Sequence, residues 1–248
     1  MEKTMIQRQG EARRVDYIPH CKEEEFIVPL IKNEIEERIR FYCGKNNYKK
    51  VLDIGCGSQP FRVLFERFNI SYFGFDVNEK QKVDFIGEID KELNQDIINT
   101  GPYDFILCTE VLEHVVNWET TFANFYKLLN KGGVILITAP HFYPLHEVPY
   151  DFWRPTSYAF SHFAVKYNFK IIEIAQKGTF WDMLGSLLAN TNTFAIKKDK
   201  ITLKNRVIYR FFNWGSNYLF KVLKSRYLHN NIDVNCYVYQ SNIVVLSK

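Results

Sequence analysis

The chain lacks several features that would place it in common classes of protein. Its five cysteines include no C-x-x-C pair. An odd number of cysteines argues against a disulfide framework, and a zinc site is not predicted without paired spacing. No stretch reaches the roughly 18 apolar residues of a membrane-spanning helix, and the chain opens with polar residues and no signal-like apolar segment. We therefore expect a cytoplasmic protein, with contact at a membrane surface left open.

The net positive charge of the chain is small, and the excess of basic residues is concentrated in one segment. The formal net charge is only +4, yet nine lysines and arginines lie between Lys197 and Arg226 beside a single acid, Asp199. The rest of the chain is therefore net negative, by subtraction. Connections in compact domains are usually about 4–6 residues long, so the roughly 60-residue stretch that holds this segment is an insertion.

Within the insertion, polar and apolar residues recur with the spacing of a helix, which predicts a basic amphipathic helix. Two interpretations stay open. Either the apolar face packs on its own domain or on a second copy in a homodimer, or the segment 197–226 docks on an anionic membrane surface. Nucleic acid is not an expected partner, because no RNA or DNA module accompanies the basic face. The polar set is Arg206, Arg210, Asn213, Asn217, Lys221 and Lys224, and the apolar set is Ile208, Phe211, Phe212, Leu219, Val222 and Leu223.

A short apolar run that ends in two glycines organises the rest of the chain. Residues 51–54 predict a buried strand, and Gly55, Cys56 and Gly57 predict a tight turn whose backbone N–H groups are free to meet a ligand. Open α/β sheets bind nucleotides at this edge. A nicotinamide-binding fingerprint would need a third glycine where the chain has Pro60, which counts against a dehydrogenase.

Three phrases in chain order resemble a known family. Residues 53–59 resemble motif I of the class I S-adenosylmethionine (SAM)-dependent methyltransferases, with Gln59 in place of the last glycine. Residues 103–115 resemble the fourth-strand motif of that family, and residues 128–140 resemble its turn and fifth strand. The resemblance spans the chain from residue 45 to residue 175 and implies an enzyme that converts SAM to S-adenosylhomocysteine.

The sequence predicts a third strand over 82–87, a helix from Trp118 to Asn130 that Asn117 caps and the glycines at 132–133 end, and a fifth strand over 134–139. The predicted strands and helices alternate, which indicates a parallel sheet covered on both faces. The resemblance makes this an α/β, Rossmann-like class I methyltransferase fold with seven mostly parallel strands and a helical insertion before the last one. The expected division is an N-terminal arm and helix at 1–44, a SAM-binding core at 45–178, the basic insertion at 179–235 and the final strand at 236–248. The arm is either a frayed tail or a cover for the cofactor pocket.

The resemblance also implies a set of cofactor-binding residues. Asp53 orients the glycine turn or the ammonium group of the cofactor, and Asp76 lies about 20 residues beyond the glycines, where a carboxylate binds ribose. Ile89 packs on adenine, and the adenine amino group meets Glu88, for which Asp90 can substitute. The glycine turn and the residues after the fourth strand run along the methionine part. The complete set is Asp53, Gly55, Cys56, Gly57, Asp76, Val77, Glu88, Ile89, Thr109, Glu110 and His114.

The acceptor side is predicted in residues 141–156, which follow the fifth strand and include three stiffening prolines. This phrase resembles a subgroup associated with sugar and polysaccharide biosynthesis, which implies a sugar or glycoconjugate hydroxyl as acceptor. A hydroxyl needs a general base. The candidates are His146 and His141, with Asp151 as orienter or alternate base. Arg154 either clamps an anionic group of the substrate or pairs with Asp151, and Tyr143 belongs to the substrate side.

Two further expectations concern metal and activity. Glu110 and His114 have the spacing of a metal pair, but the first histidine of the zincin phrase is missing, so no metal is expected. The acceptor is expected to be a small or carrier-linked molecule. The alternative is a methyltransferase-like binding protein without turnover, which docks through its basic insertion and which the departure at Gln59 favours.

Overall fold

The computed structural model describes residues 17–79, 82–189, 195–234 and 237–248. Most of the predicted N-terminal arm, residues 1–16, lies outside them. The described residues form two compact units. The first contains Tyr17, Lys32–Gln176 and Ser241–Lys248, and the second contains Ile18–Ile31 and Lys177–Gln240.

A seven-stranded sheet runs through the first unit, and its strands are β1 (Lys50–Ile54), β2 (Ser71–Asp76), β3 (Phe85–Ile86), β4 (Tyr103–Thr109), β5 (Leu129–Pro140), β6 (Lys170–Lys177) and β7 (Ser241–Ser247). Their order across the sheet is β3-β2-β1-β4-β5-β7-β6. The pairs from β3 to β5 are parallel, and β7 lies antiparallel to β5. This sheet confirms the predicted Rossmann-like fold class.

The helices begin and end where the local sequence favours it. Pro29 lies in the first turn of the first helix, where its missing N–H removes no helical hydrogen bond. The side-chain oxygen of Asn117 accepts a hydrogen bond from Thr120 N at 3.1 Å and caps the fourth helix as predicted. The helices are α1 (Val28–Lys45), α2 (Arg62–Glu66), α3 (Gln95–Thr100), α4 (Trp118–Leu128), α5 (Ser157–Lys166), α6 (Phe180–Ala189), α7 (Leu203–Lys224) and α8 (Tyr227–Asn231).

Aromatic side chains bind α4 and α5 to the sheet. The Trp118 ring lies 5.3 Å from the Phe160 ring and 5.4 Å from the Phe163 ring, measured between centroids. Phe122 is fully buried beneath them. Truncation of such a side chain to alanine typically costs about 3–5 kcal/mol of stability. The same core includes residues of β4 and β5, so it holds in place the sheet edge from which the residues after these strands extend.

The second unit has a smaller core in which a glycine is required. The Phe26 ring meets the Phe220 ring edge-on at 5.4 Å, and a Cβ at Gly185 of α6 would lie 2.5 Å from the Phe26 ring. The buried Asp182 carboxylate accepts hydrogen bonds from Thr179 and forms ion pairs with Arg226 and His229. Among the described residues, none of the helices combines the length and the apolar composition that crossing a bilayer requires.

Three boundaries differ from the sequence prediction, and one of them is the final strand, predicted at 236–248, which is β7 at Ser241–Ser247. The glycine pair at 132–133, predicted to stop α4, lies inside β5, because α4 ends at Leu128 and the strand begins at the next residue. A Cβ at Gly133 would lie 2.9 Å from the carbonyl oxygen of Asp104, so the close approach of β5 to β4 requires glycine there. The third strand, predicted over 82–87, is only the two residues of β3.

Candidate functional site

The glycine turn joins β1 to α2 at the carboxyl edge of the parallel sheet. Gly55 and Gly57 both have positive φ angles, +68° and +52°, which side-chain-bearing residues rarely adopt. A Cβ at Gly55 would also lie 2.2 Å from Cγ2 of Val111. Steric and conformational limits therefore both demand glycine at this position, and Val111 is a neighbour of the turn that the sequence did not reveal.

Gln59, the residue that departs from the family pattern, adopts the conformation that a glycine would favour. Its φ angle is +62°. The side chain is held at both ends, since Nε2 donates to the Lys82 carbonyl oxygen at 2.7 Å and Oε1 accepts from Arg62 at 2.9 Å. These contacts offset the strain of roughly 1 kcal/mol that a non-glycine residue meets here. The departure therefore preserves the shape of the turn.

Asp76, the predicted ribose ligand, lies at the end of β2 beside the turn. Its Oδ2 accepts a hydrogen bond from Gly57 N at 2.9 Å, and its Oδ1 accepts one from Asn78 N at 2.9 Å. The structure thus brings Asp76 to the glycine turn, with Val77 following it in the chain.

Asp53 is buried beneath the turn and is bound by a residue that the sequence did not single out. The Tyr72 hydroxyl donates to its Oδ2 at 2.5 Å. Burial raises the pKa of Asp53 to about 7, the Tyr72 hydrogen bond opposes that shift, and the nearby charge of Asp76 adds to it. The same burial raises the pKa of the Tyr72 hydroxyl far above its usual range. This side chain supports the turn from below.

The residues predicted to meet the adenine differ in their environments. Glu88 is exposed, Ile89 is buried in the core, and Asp90 is buried and accepts a hydrogen bond from Asn117 N at 3.2 Å. Asp90 therefore contributes to the start of α4, which leaves Glu88 as the accessible acid of the two. The adenine-binding roles of Glu88, Ile89 and Asp90 remain predictions.

At the end of β4, Thr109 and Glu110 are half-buried at the same sheet edge. Glu110 has a φ angle of +52°, an uncommon value for a residue with a side chain. Its N–H contacts Thr138 on β5, and the Thr138 hydroxyl donates to its Oε1 at 2.8 Å. Such strained positions cluster at functional sites, where surrounding contacts hold them in place.

Two histidines and one acid form a cluster in which Glu113 and His114 follow β4 and His146 follows β5. One atom from each of Glu113, His114 and His146 lies within 4.8 Å of the others. The two imidazole rings meet edge-to-face with centroids 4.8 Å apart. His114 Nδ1 lies 2.8 Å from the Tyr150 carbonyl oxygen, and His114 Nε2 lies 3.8 Å from Glu113 Oε1. Burial lowers the pKa of His114.

Glu113 is the functional candidate that sequence reasoning missed. Its side chain is fully buried, and neither carboxyl oxygen has a hydrogen-bond partner among the described residues. Burial, with the charge of Glu110 as a second cause, raises the pKa of Glu113 well above its usual range. The signal was present in the sequence as an acid directly before His114, but spacing gave no reason to prefer it to Glu110.

Residues 141–156, which the sequence predicts to face the methyl acceptor, are called the acceptor loop below. An ion pair between Arg154 and Asp151 holds this loop. Arg154 Nη1 and Nη2 donate to the two carboxylate oxygens of the buried Asp151 at 2.6 and 2.7 Å, which is the pairing that the sequence left as one of two alternatives. Asp151 Oδ2 also accepts from His146 N at 3.0 Å and lies 3.3 Å from His146 Nδ1. Although burial opposes the shift, these hydrogen bonds keep the pKa of Asp151 below its usual value. Asp151 therefore orients His146.

The two remaining acceptor-side candidates also lie in this loop. His141 Nδ1 lies 3.1 Å from the Pro155 carbonyl oxygen, so the ring donates a hydrogen bond there. The Tyr143 ring meets the His146 ring edge-on at 5.1 Å, and its carbonyl oxygen accepts a hydrogen bond from Arg154 Nε. The structure therefore brings Tyr143 to His146.

With the site described, comparison with known proteins identifies the family. Residues 30–177 match the methyltransferase domain family, which is more than half of the chain. The chain belongs to this family. It is a SAM-dependent methyltransferase, and a ubiquinone biosynthesis O-methyltransferase of Acinetobacter baumannii is 25% identical to it over 227 residues, covering 86% of this chain and 84% of the relative.

Solved structures share the fold of this methyltransferase at low sequence identity. Coclaurine N-methyltransferase bound to N-methylheliamine and S-adenosylhomocysteine has a TM-score of 0.54 at 13% identity, covering 98% of this chain and 78% of that one. An O-methyltransferase from a trans-AT PKS multienzyme of Brevibacillus brevis, in complex with S-adenosylhomocysteine, has a TM-score of 0.53 at 16% identity, covering 96% and 85%. These likenesses show the fold alone.

Proposed function

We propose that this methyltransferase transfers the methyl group of SAM to a hydroxyl oxygen of a small or carrier-linked acceptor. The observation that supports an oxygen acceptor is the oriented imidazole of His146, which lies in the loop that follows β5 and is held by Asp151. The His114 ring lies 4.8 Å from it, measured between centroids. The relative from Acinetobacter baumannii carries the name of an O-methyltransferase, which also favours oxygen. A sugar or glycoconjugate hydroxyl, implied by the resemblance of residues 141–156, remains a prediction.

The residues around the glycine turn fit an adenosyl sulfonium. Its ribose has two hydroxyls to donate, and the Asp76 carboxylate, a hydrogen-bond acceptor, lies beside a turn in which Gly55 and Gly57 have positive φ angles. When bound, SAM supplies a methyl group activated by a positive sulfur. Asp53, buried below the turn, stabilises a positive charge above it when it is ionised. The Thr109 and Glu110 backbone lines the neighbouring edge.

The task of the protein is then to position the acceptor oxygen and to remove its proton. An alcohol is a weak nucleophile at neutral pH, so a base within hydrogen-bond reach of the hydroxyl accelerates transfer. We assign that role to His146, because Asp151 and the Pro144 carbonyl oxygen both lie 3.3 Å from its Nδ1. Both groups accept hydrogen bonds and lie closer to Nδ1 than the Arg154 Nη2 donor at 3.5 Å, so we assign the proton to Nδ1 and the lone pair to Nε2. His141 is the second candidate.

The test is methyl transfer from labelled SAM to a panel of acceptors that offer sugar hydroxyls, phenolic hydroxyls or amines. We expect S-adenosylhomocysteine and a methyl ether as products. His146→Gln should lower kcat by about 100-fold or more, because general-base catalysis typically contributes 10²–10⁴-fold. His162→Gln is the matched control, since His162 is an exposed histidine on α5. Label on nitrogen only, or full activity in His146→Gln, would overturn the proposal.

A second proposal concerns where the acceptor is met: we propose that α7 docks on an anionic membrane surface. One face of α7 carries apolar residues in steps of three or four, and all of them are exposed. The buried positions Ser216, Phe220 and Leu223 lie on the opposite face. Packing against the described residues therefore does not account for this face. The exposed set is Leu203, Val207, Phe211, Trp214 and Tyr218.

Basic residues flank this exposed face. Arg206 and Arg210 lie one step along the helix surface from it and are themselves exposed. An apolar face rich in aromatic rings beside a basic face is typical of helices that lie in the membrane interface, where aromatic rings insert and cations meet lipid phosphates. Docking is compatible with turnover, so this feature does not favour the alternative of a binding protein without turnover.

Vesicle flotation tests the docking proposal. The full chain should float with vesicles that contain phosphatidylglycerol and not with pure phosphatidylcholine. Phe211→Ser with Trp214→Ser should abolish flotation, and Arg206→Glu with Arg210→Glu should weaken it at least tenfold. Lys127→Glu with Lys131→Glu changes the charge equally at exposed positions outside α7 and should have little effect. Flotation independent of anionic lipid, or equal loss in the control, would contradict it.

A further inference from the structure

Glu113, His114 and His146 raise a question that the methyltransferase fold does not answer. A carboxylate without a partner is rarely buried, because removing the charge from water is unfavourable unless a cation or hydrogen bonds compensate. Glu113 is fully buried, and both of its oxygens lack hydrogen-bond partners among the described residues. Two imidazole rings face it. This combination is the feature to be explained.

The geometry points to a site for one divalent transition-metal ion, held by Glu113, His114 and His146. Two imidazoles and one carboxylate form a donor set that suits zinc, iron, cobalt or manganese better than calcium or magnesium. The three donor atoms lie within 4.8 Å of one another. In a tetrahedral site with bonds of about 2.1 Å the donor atoms lie about 3.4 Å apart, so a shift of about 1 Å in each ligand closes the site on an ion.

Both histidines are already oriented in the way that metal-binding histidines are. His114 Nδ1 contacts the Tyr150 carbonyl oxygen at 2.8 Å, so the proton is on Nδ1 and Nε2 is the nitrogen that faces Glu113. His146 Nδ1 lies 3.3 Å from Asp151 Oδ2, and the ion pair with Arg154 holds Asp151. Carboxylates and carbonyls behind the ring commonly fix the tautomer of a ligating histidine.

Parts of the site differ in their freedom to adjust. Glu113 and His114 lie in a 3₁₀ turn, Leu112–His114, directly after β4, and the Glu113 carbonyl oxygen accepts hydrogen bonds from Phe152 and Trp153 N. His146 lies in a loop between prolines and is half-buried. The two rigid ligands therefore set the position of the ion, and His146 completes the site from the loop side.

The ion site rests on the proposed function only for its role. With an ion bound, His146 serves as a ligand, the acceptor hydroxyl binds the ion through its oxygen, and its proton passes to water. The alkoxide electron pair then forms the carbon–oxygen bond as the sulfur–carbon bond of SAM breaks, which yields an ether and S-adenosylhomocysteine. Without an ion, His146 meets the same hydroxyl directly.

The experiment measures ion binding by the full chain after removal of metals with a chelator. Titration with ZnCl2 in a calorimeter should reveal one saturable site, and CoCl2 should give the visible absorption bands of cobalt bound to nitrogen and oxygen ligands. Glu113→Gln and His146→Asn should each weaken binding by 100-fold or more. His162→Asn, at an exposed histidine of α5, should bind as the unaltered protein does.

Folding and cofactor binding are followed separately in each variant by circular dichroism and by calorimetry with S-adenosylhomocysteine. Loss of ion binding with cofactor binding intact supports the site. An absence of saturable binding in the unaltered chain, or equal affinity in Glu113→Gln and His146→Asn, overturns it and identifies Glu113 as a neutral buried acid. Because cofactor affinity is measured in the metal-free protein, failure of the ion site is distinct from failure of the methyltransferase assignment.

Discussion

Two buried carboxyl groups at the sheet edge illustrate how environment separates residues of similar chemistry. Asp53 is buried but accepts a hydrogen bond from Tyr72, and its pKa is raised to about 7. Glu113 is buried without a hydrogen-bond partner in the described part of the chain, and burial raises its pKa well above the ordinary range. Asp53 therefore titrates near neutral pH and lies under the glycine turn. The buried Glu113 carboxyl requires either a bound proton or a nearby cation.

Asp53 predicts a pH dependence of stability. Below about pH 4 the group is protonated in both states. Between about pH 4 and pH 7 it stays protonated in the folded protein and is ionised in the unfolded chain, so stability falls as the pH rises through this window and then levels off. A shift of this size corresponds to a few kcal/mol.

The test compares Asp53→Asn with the unaltered protein. Asparagine cannot ionise, and its oxygen can still accept from Tyr72, so the stability advantage of Asp53→Asn should grow by a few kcal/mol between pH 5 and pH 8 in urea unfolding. Asp96→Asn, at an exposed acid in α3, is the control. Parallel stability curves for Asp53→Asn and the unaltered chain would contradict the assignment.

Gln59 shows what sequence patterns capture and omit at the residue scale. The family phrase correctly located a turn with glycine-like geometry, since Gln59 takes a positive φ angle there. The compensating contacts with Lys82 and Arg62 come from other parts of the chain. Tyr72 binds Asp53, and Val111 lies beside Gly55. Both contacts arise because β2 and β4 pair with β1, so local sequence could not reveal them.

At the scale of elements, long periodic segments were predicted well and short or tightly packed ones were not. The helices α1, α4 and α5 and the central strands follow the apolar periodicity of the sequence. The start of β5 was missed because the glycines at 132–133 allow close strand approach, and a helix stop has the same local sequence. The exposed apolar face of α7 shows the limit of periodicity, since it predicts a helix and not its surroundings.

The acceptor loop gives a prediction at this scale. Arg154 binds both oxygens of Asp151 and also donates to the carbonyl oxygens of Tyr143 and Pro144. Lysine offers one ammonium and cannot make this set of contacts. Arg154→Lys should destabilise the protein by about 1–3 kcal/mol and lower methyl transfer at least tenfold through a misplaced His146.

Cofactor binding separates loop damage from general damage. Because Arg154 and Asp151 lie outside the glycine turn, Arg154→Lys should keep its affinity for S-adenosylhomocysteine within about twofold, or 0.4 kcal/mol. The control is Arg40→Lys, which changes an exposed arginine paired with Glu36 on α1. Unchanged methyl transfer in Arg154→Lys would show that the ion pair does not position the acceptor side.

At the scale of the whole molecule, the strand order explains why distant residues meet. The order β3-β2-β1-β4-β5 brings the carboxyl ends of parallel strands to one edge. Ligands bind at that edge in open α/β sheets. The glycine turn, Asp76, the residues after β4 and the loop after β5 therefore converge although up to 100 residues separate them. Motif order in the sequence was sufficient to predict this convergence, whereas the approach of Glu113 and His146 to within 4.8 Å required the folded loop.

The most direct measurement of the central claim is calorimetry of S-adenosylhomocysteine binding to the full chain and to Asp76→Ala. The account predicts binding in the micromolar range, about −8 kcal/mol, and a loss of at least 100-fold in Asp76→Ala with an unchanged circular dichroism spectrum. Glu79→Ala, at an exposed acid after β2, should bind as the unaltered protein does. The absence of binding to the unaltered chain, or equal affinity in Asp76→Ala, would contradict the account.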